Sequence, residues 1–165
     1  MNRTSRVKSL TFAGIYIALY VLFTNMNPFG WGPWQVRISE IMLTMPFWNK
    51  KYAKYALVAV VVANCFSPLG VLDIACGGAC AVATYYIAQP IVERILRKKK
   101  FSIPFMCLIV YPIVCGLIVG ALLTYAYALP YWSAVVSCLF GQIAVGVISL
   151  FVNGALVKII DKFWN

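Results

Sequence analysis

Long apolar stretches separated by short basic clusters set the pattern of this chain. Asp, Glu, Lys and Arg are absent between Lys8 and Arg37, between Lys54 and Asp73, between Asp73 and Glu93, and from residue 101 to 157. A helix needs about 20 residues to cross the hydrocarbon core of a bilayer, so the last of these windows alone holds two crossings. The pattern predicts helices over residues 9–26, 36–49, 53–70, 73–93, 104–128 and 133–157. Only short loops remain between them. The expectation is therefore an all-α integral membrane protein, multi-pass in the cell membrane, with residues 1–165 forming a single six-helix domain.

The segment 36–49 stands apart. It is short for a crossing, and it contains both Arg37 and Glu40. A short tilted helix or a re-entrant one, buried against protein and facing a polar cavity, accounts for such a sequence. The stretch before it, 25–35, carries Phe29, Trp31 and Trp34 among Gly30, Gly32, Pro28 and Pro33. It reads as an outer loop, stiff at its prolines and pliable at its glycines. No internal repeat or low-complexity segment is evident.

Composition sharpens this reading, because 63% of the residues are hydrophobic and only 11% charged, against about 25% charged in soluble domains. The net charge of +10 is then read against topology. Lys and Arg gather at Arg3, Arg6 and Lys8; at Lys50, Lys51 and Lys54; at Arg94, Arg97, Lys98, Lys99 and Lys100; and at Lys158 and Lys162. The predicted helices put every cluster on one side, so the positive-inside rule places both termini in the cytoplasm. The basic excess is an orientation signal rather than a nucleic-acid footprint, with attraction to anionic lipid headgroups a secondary effect. The first apolar segment ends without a small-x-small cleavage site and is expected to stay as a transmembrane helix.

The six cysteines (Cys65, Cys76, Cys80, Cys107, Cys115, Cys138) lie in apolar segments without a CxxC pair. They read as small packing residues, and no metal site is expected. The chain has no histidine, which removes the usual metal ligand and proton shuttle. Among the four acidic residues, Glu93 and Asp161 stand beside Lys and Arg, where solvated pairing explains them. Glu40 and Asp73 lie near the outer face in or beside helices, where the bilayer makes a charge costly. A structural account pairs Glu40 with Arg37 on one helix face and makes Asp73 the N-cap of a helix beginning at Ile74. A functional account makes both carboxylates ligand contacts, and one residue can do both jobs.

Two runs carry a resemblance. Gly32-Pro-Trp-Gln-Val-Arg-Ile-Ser-Glu40 and Ala63-Asn-Cys-Phe-Ser-Pro-Leu-Gly-Val-Leu-Asp-Ile-Ala-Cys-Gly77 resemble the QueT family of queuosine-precursor transporters, which are S components of energy-coupling factor (ECF) transporters. The length and the six-helix layout agree with it. The resemblance implies uptake of a 7-deazaguanine such as preQ1 or queuine, with ATP hydrolysed on partner subunits: a T component and two ATPases. It also implies a carboxylate after the glycine of the last helix, where this chain has Gln142 after Gly141.

The chemistry of such a ligand can be matched to residues. A guanine-like edge presents N1–H beside an exocyclic amine, and one carboxylate accepts both; Glu40 suits that role. An aminomethyl substituent is cationic near neutral pH, and Asp73 is the candidate to meet it. Trp31 and Trp34 can stack on or close over the heterocycle, with an interfacial aromatic belt as the alternative for Trp31. Asn64 and Gln142 can each donate and accept hydrogen bonds, either to ligand or as glue between helices. Gln35 and Arg37 can orient Glu40 or touch a carbonyl, whereas Asn153 reads as structural.

No GxxxxGK[ST] sequence occurs, so no cofactor is expected in this chain and the energy must come from a partner or a gradient. On the first helix Gly14 and Ala18, with Ala13 alongside, form a small-xxx-small face. In S components such a face resembles the surface that docks on the T component. Two other readings remain open. One is a self-contained proton-coupled secondary transporter of a small cationic or heterocyclic solute, using Glu40 or Asp73 as the coupling carboxylate. The other is an intramembrane enzyme, whose only acid-base pair would be Glu40 with Asp73; without histidine no enzymatic activity is expected.

Overall fold

The computed structural model describes residues 3–27 and 37–164. Among these residues the secondary structure is helical throughout, in the order α1 (Arg3–Asn25), α2 (Glu40–Thr44), α3 (Ala53–Asn64), α4 (Val71–Leu96), α5 (Lys99–Tyr127) and α6 (Tyr131–Trp164). Four of them, α1, α4, α5 and α6, are long and apolar enough to cross a membrane. The expected helix over 36–49 is instead the single turn of α2 followed by two 3₁₀ turns, Met45–Phe47 and Lys50–Tyr52. The helix expected over 53–70 stops at Asn64, about 18 Å long at 1.5 Å per residue. Its premature end has a local cause. Pro68 disfavours a helical conformation at Ser67, and Gly70 takes φ +56° to cap α4, a backbone that suits glycine.

Both α4 and α5 widen into a π-turn, at Ala83–Ala88 and Met106–Val110. Each lies just ahead of a proline, Pro90 and Pro112. A proline ring collides with the carbonyl four residues earlier, and one wide turn moves that carbonyl aside.

The buried stripe of α1 is Phe12, Tyr16, Tyr20 and Thr24, at a strict spacing of four that puts them on one face. Phe12 and Tyr16 meet Tyr52 and Tyr55 with ring centroids 5.5 to 6.5 Å apart. The most extensive helix pair is α5 with α6.

The short α2 segment sits where water cannot satisfy its carbonyls, so long helices do it with side chains. Tyr16 O–H donates to Met42 O at 2.6 Å, Tyr85 O–H to Leu43 O at 2.6 Å, Asn153 Nδ2 to Ile41 O at 2.7 Å, and Gln89 Nε2 to Pro46 O at 3.0 Å. Irregular backbone at membrane depth is tolerated only when protein covers it in this way. Asn153 thus has the structural role expected of it, with a second bond to Thr44 Oγ1 at 2.7 Å.

The basic clusters converge on one end of the bundle. Lys50 pairs with Glu93 at 2.5 Å and Lys51 with Asp161 at 2.7 Å. Asp161 also accepts from Asn49 Nδ2 at 2.9 Å and from the Tyr52 hydroxyl at 2.5 Å. Burial, and after it this hydrogen bond, raises the Tyr52 hydroxyl well above the ordinary tyrosine range, so it stays a donor. Ser9 bonds Tyr55 at 2.8 Å, which brings the start of α1 to the same end as the close of α6.

Candidate functional site

A pocket opens at the other end of the bundle. Because α1 rises from the basic end to Tyr20, and α3 from Lys54 to Asn64, the polar groups expected near the outer face do meet. Tyr20 of α1, Arg37 and Glu40 at the entry to α2, Asn64 of α3, Asp73 of α4, Tyr111 of α5 and Gln142 of α6 all line it. The space between them, with its open mouth included, is about 600 Å3.

Glu40 begins α2 and its N–H donates to Arg37 O at 3.0 Å, so one tight turn sets the two side chains on neighbouring parts of the wall. Both are buried. The Tyr111 hydroxyl donates to Glu40 Oε2. Tyr111 follows directly on the wide turn of α5, and its ring is fixed edge-on to Phe47 at 5.9 Å. A carboxylate oxygen has two lone pairs, so this contact orients Glu40 while leaving acceptor capacity for a ligand.

Asp73 corrects an expectation. The helix starts at Val71 with Gly70 as its N-cap, so Asp73 is the third residue of α4 and does not cap it. Its carboxylate accepts from Ser67 Oγ, and the same hydroxyl accepts from Leu69 N at 3.1 Å. A negative charge in the first turn also suits the helix dipole. Asn64 Nδ2 donates to Asp73 O at 2.7 Å and thereby joins the end of α3 to the start of α4. The approach is close because Gly77 faces Asn64. A Cβ on Gly77 would lie 2.3 Å from Asn64 Nδ2 and 2.7 Å from Val60 Cγ1.

Gln142 is 6% exposed, and its Oε1 has no hydrogen-bond partner. A buried carbonyl oxygen without a donor costs free energy until something donates to it. The other two carboxylates, Glu93 and Asp161, pair with Lys50 and Lys51 at the far end. The pocket therefore carries two carboxylates and one guanidinium, a formal excess of one negative charge, together with an open neutral acceptor.

Trp31, Trp34 and Gln35 lie outside the described residues. Residues that the reading of the chain did not single out are Tyr20, Tyr85 and Tyr111, and the cysteines as pocket wall: Cys76, Cys80, Cys115 and Cys138 all face the cavity. The tyrosines had a signal, since a phenol in an apolar run must find a hydrogen-bond partner. The cysteines carried none beyond small size. Among the described residues no group of three or more His, Cys, Asp or Glu is placed to hold a metal ion. Away from the pocket, Gly14 and Ala18 are exposed on α1, on the side opposite the Phe12–Tyr16–Tyr20 stripe, and open space surrounds Gly14.

Apolar helices of membrane-crossing length, closed around a polar pocket, define a membrane protein of the solute-transport class. The sequence model described as QueT transporter matches residues 7–160, nearly the whole chain, and the chain belongs to that family. Comparison with curated proteins and with solved structures finds no match.

Proposed function

We propose that this chain is the substrate-binding membrane subunit of an ECF transporter, importing a queuosine precursor such as preQ1 or queuine with ATP hydrolysed on partner subunits. The observation that carries this reading is the convergence of Glu40, Asp73, Asn64 and the unpartnered Gln142 carbonyl on one pocket. Glu40 accepts N1–H and the exocyclic amine of the deazaguanine. Asp73 meets the cationic substituent, and Gln142 accepts one further donor. A monocation balances the pocket's charge, which gives a neutral amide a reason to stand at position 142.

In this reading the basic end is cytoplasmic, both termini included. The segment from Glu40 to Lys50 descends from the pocket, and α3 returns to it, so these two short limbs complete six passes beside the four long helices. The exposed Gly14 and Ala18 face, with Ala13, docks the T component. Partners are thus the small molecule, the T component, two ATPases and the bilayer.

Calorimetry on detergent-purified protein with preQ0, preQ1 and queuine tests the reading. At least one of them is expected to bind tightly to the chain alone, and a folded sample that binds none overturns it. Uptake into proteoliposomes is expected only with the T component and ATPases present. Accumulation by the chain alone under a proton gradient would establish the secondary transporter instead. Asp73→Asn separates the two carboxylates. Affinity for preQ1 and queuine is expected to fall roughly tenfold or more, as for loss of a charge-assisted hydrogen bond, while the uncharged nitrile of preQ0 leaves its own affinity within about threefold.

A further inference from the structure

At the basic end, the corner between α4 and α5 joins two features, neither of which the transport reading uses as a binding site. The first is charge. Residues 93–100 carry Arg94, Arg97, Lys98, Lys99 and Lys100 against a single carboxylate, Glu93, which is already paired with Lys50 at 2.5 Å. Lys99 Nζ donates to Trp48 O at 3.1 Å, while Arg94, Arg97, Lys98 and Lys100 are exposed. The turn itself is tight: Arg97 takes φ +53° and Lys98 is extended ahead of α5. This turn crowds cations at the N-terminus of a 29-residue helix, where the dipole also favours an anion.

The second is an apolar groove that begins at the same turn. Leu96, Phe101, Pro104, Phe105, Leu108 and Ile109 line it, with about 670 Å3 of space, its open side included. Phe101, Phe105 and Ile109 recur every four residues along one outward face, and they are 57%, 38% and 45% exposed. From Phe101 to Ile109 the groove runs about 12 Å at 1.5 Å per residue, the length of a good part of an acyl chain. Pro104 within the helix and the wide turn over Met106–Val110 both lie along it.

A soluble anion matches the cations and has no use for the groove, and an apolar peptide has no use for the cations. A molecule with a negative head and a long apolar tail matches both, in register, at the level where a bilayer places them. We propose that the α4–α5 corner is a binding site for an anionic phospholipid of the leaflet at the basic end. Its phosphate lies at Arg97, Lys98 and Lys100, and one acyl chain lies in the groove. Basic pockets at helix ends hold acidic headgroups in this manner.

Native mass spectrometry of the detergent-purified chain, titrated with phosphatidylglycerol or with phosphatidylcholine of the same acyl chains, tests the site. Phosphatidylglycerol is expected to be retained at least about tenfold more strongly. The triple variant Arg97→Gln, Lys98→Gln, Lys100→Gln should bring that preference to within about twofold, while Lys158→Gln with Lys162→Gln, which removes basic residues on another helix, should leave it. Ile109→Trp fills the groove from an exposed position and keeps every charge, and it should reduce phosphatidylglycerol retention about as much as the triple variant. Helicity by circular dichroism monitors the fold of each variant. Equal retention of both lipids by the unmodified chain, or full retention of phosphatidylglycerol by a folded Ile109→Trp protein, overturns the proposal. The second result would mean that surface charge alone attracts the lipid.

Discussion

Replacing Glu40 by Gln is expected to weaken binding of a 7-deazaguanine by roughly tenfold to a thousandfold, because hydrogen bonds to a charged partner contribute ~1.5 to 3 kcal/mol each. The substitution keeps volume and changes only what the side chain offers. In the native pocket the Tyr111 hydroxyl donates to Oε2, and the carboxylate still presents acceptors to the ligand. An amide can satisfy Tyr111 with its oxygen, but it then turns an NH2 toward the two donors of a guanine-like edge. If it faces the ligand with its oxygen instead, its NH2 meets the Tyr111 hydroxyl and one acceptor serves two ligand donors. Either arrangement loses at least one bond. The competing account, in which Glu40 only offsets the charge of Arg37, expects the reverse: a lowered melting temperature from an uncompensated buried guanidinium, with affinity spared in whatever folds. Isothermal calorimetry and a thermal melt on the same preparation separate the two. Near-normal affinity with clear destabilisation would remove Glu40 from the ligand site.

The second large effect is expected at a residue without a side chain. Gly77→Ala places a methyl group 2.3 Å from Asn64 Nδ2 and 2.7 Å from Val60 Cγ1, closer than nonbonded atoms can approach. The tip of Asn64 can swing away, but only by giving up its 2.7 Å bond to Asp73 O. Val60, buried at 5% exposure, must shift as well. Overpacking of this kind costs about 1 to 3 kcal/mol, and the pocket wall between Asn64 and Asp73 shifts with it. The melting temperature should fall, and ligand affinity should fall by about tenfold or more. Gly78→Ala is the matched control, since a Cβ there meets nothing within 4 Å. A Gly77→Ala protein with unchanged melting temperature and affinity would show that α3 and α4 adjust their spacing freely and that Asn64 does not set the pocket.

Much of the architecture is legible in the sequence. The charge-free windows marked α1, α4, α5 and α6, because a bilayer admits long apolar helices and excludes charge from them. The clustering of cations forecast that Lys50, Lys51, Arg94 to Lys100 and Lys158 to Lys162 share one end, and Lys50–Glu93 with Lys51–Asp161 bears that out. Glu40, Asp73, Asn64 and Gln142 stood out one at a time as expensive polar groups in apolar surroundings, since cost is a property of a residue and its immediate neighbours.

Their meeting in one pocket was a matter for the tertiary structure alone. Hydropathy cannot tell a helix from the 3₁₀ turns after α2, nor see that α3 ends at Asn64. The first outcome depends on whether side chains elsewhere reach the loose carbonyls, as Tyr16, Tyr85, Gln89 and Asn153 do for α2; the second follows from Pro68 and Gly70, whose backbone preferences hydropathy does not register. Which phenol finds which carboxylate is likewise set across distance, and Tyr111 lies 71 residues from Glu40. The sequence by itself determined which stretches are apolar enough to cross a bilayer, which polar groups are costly there and which clusters of cations share one end, because the bilayer acts on each residue separately. Only the packing of the helices decided which buried polar groups are satisfied by the protein and which, like Gln142 Oε1 in the pocket wall, are left without a partner, because a hydrogen bond needs both its partners in place.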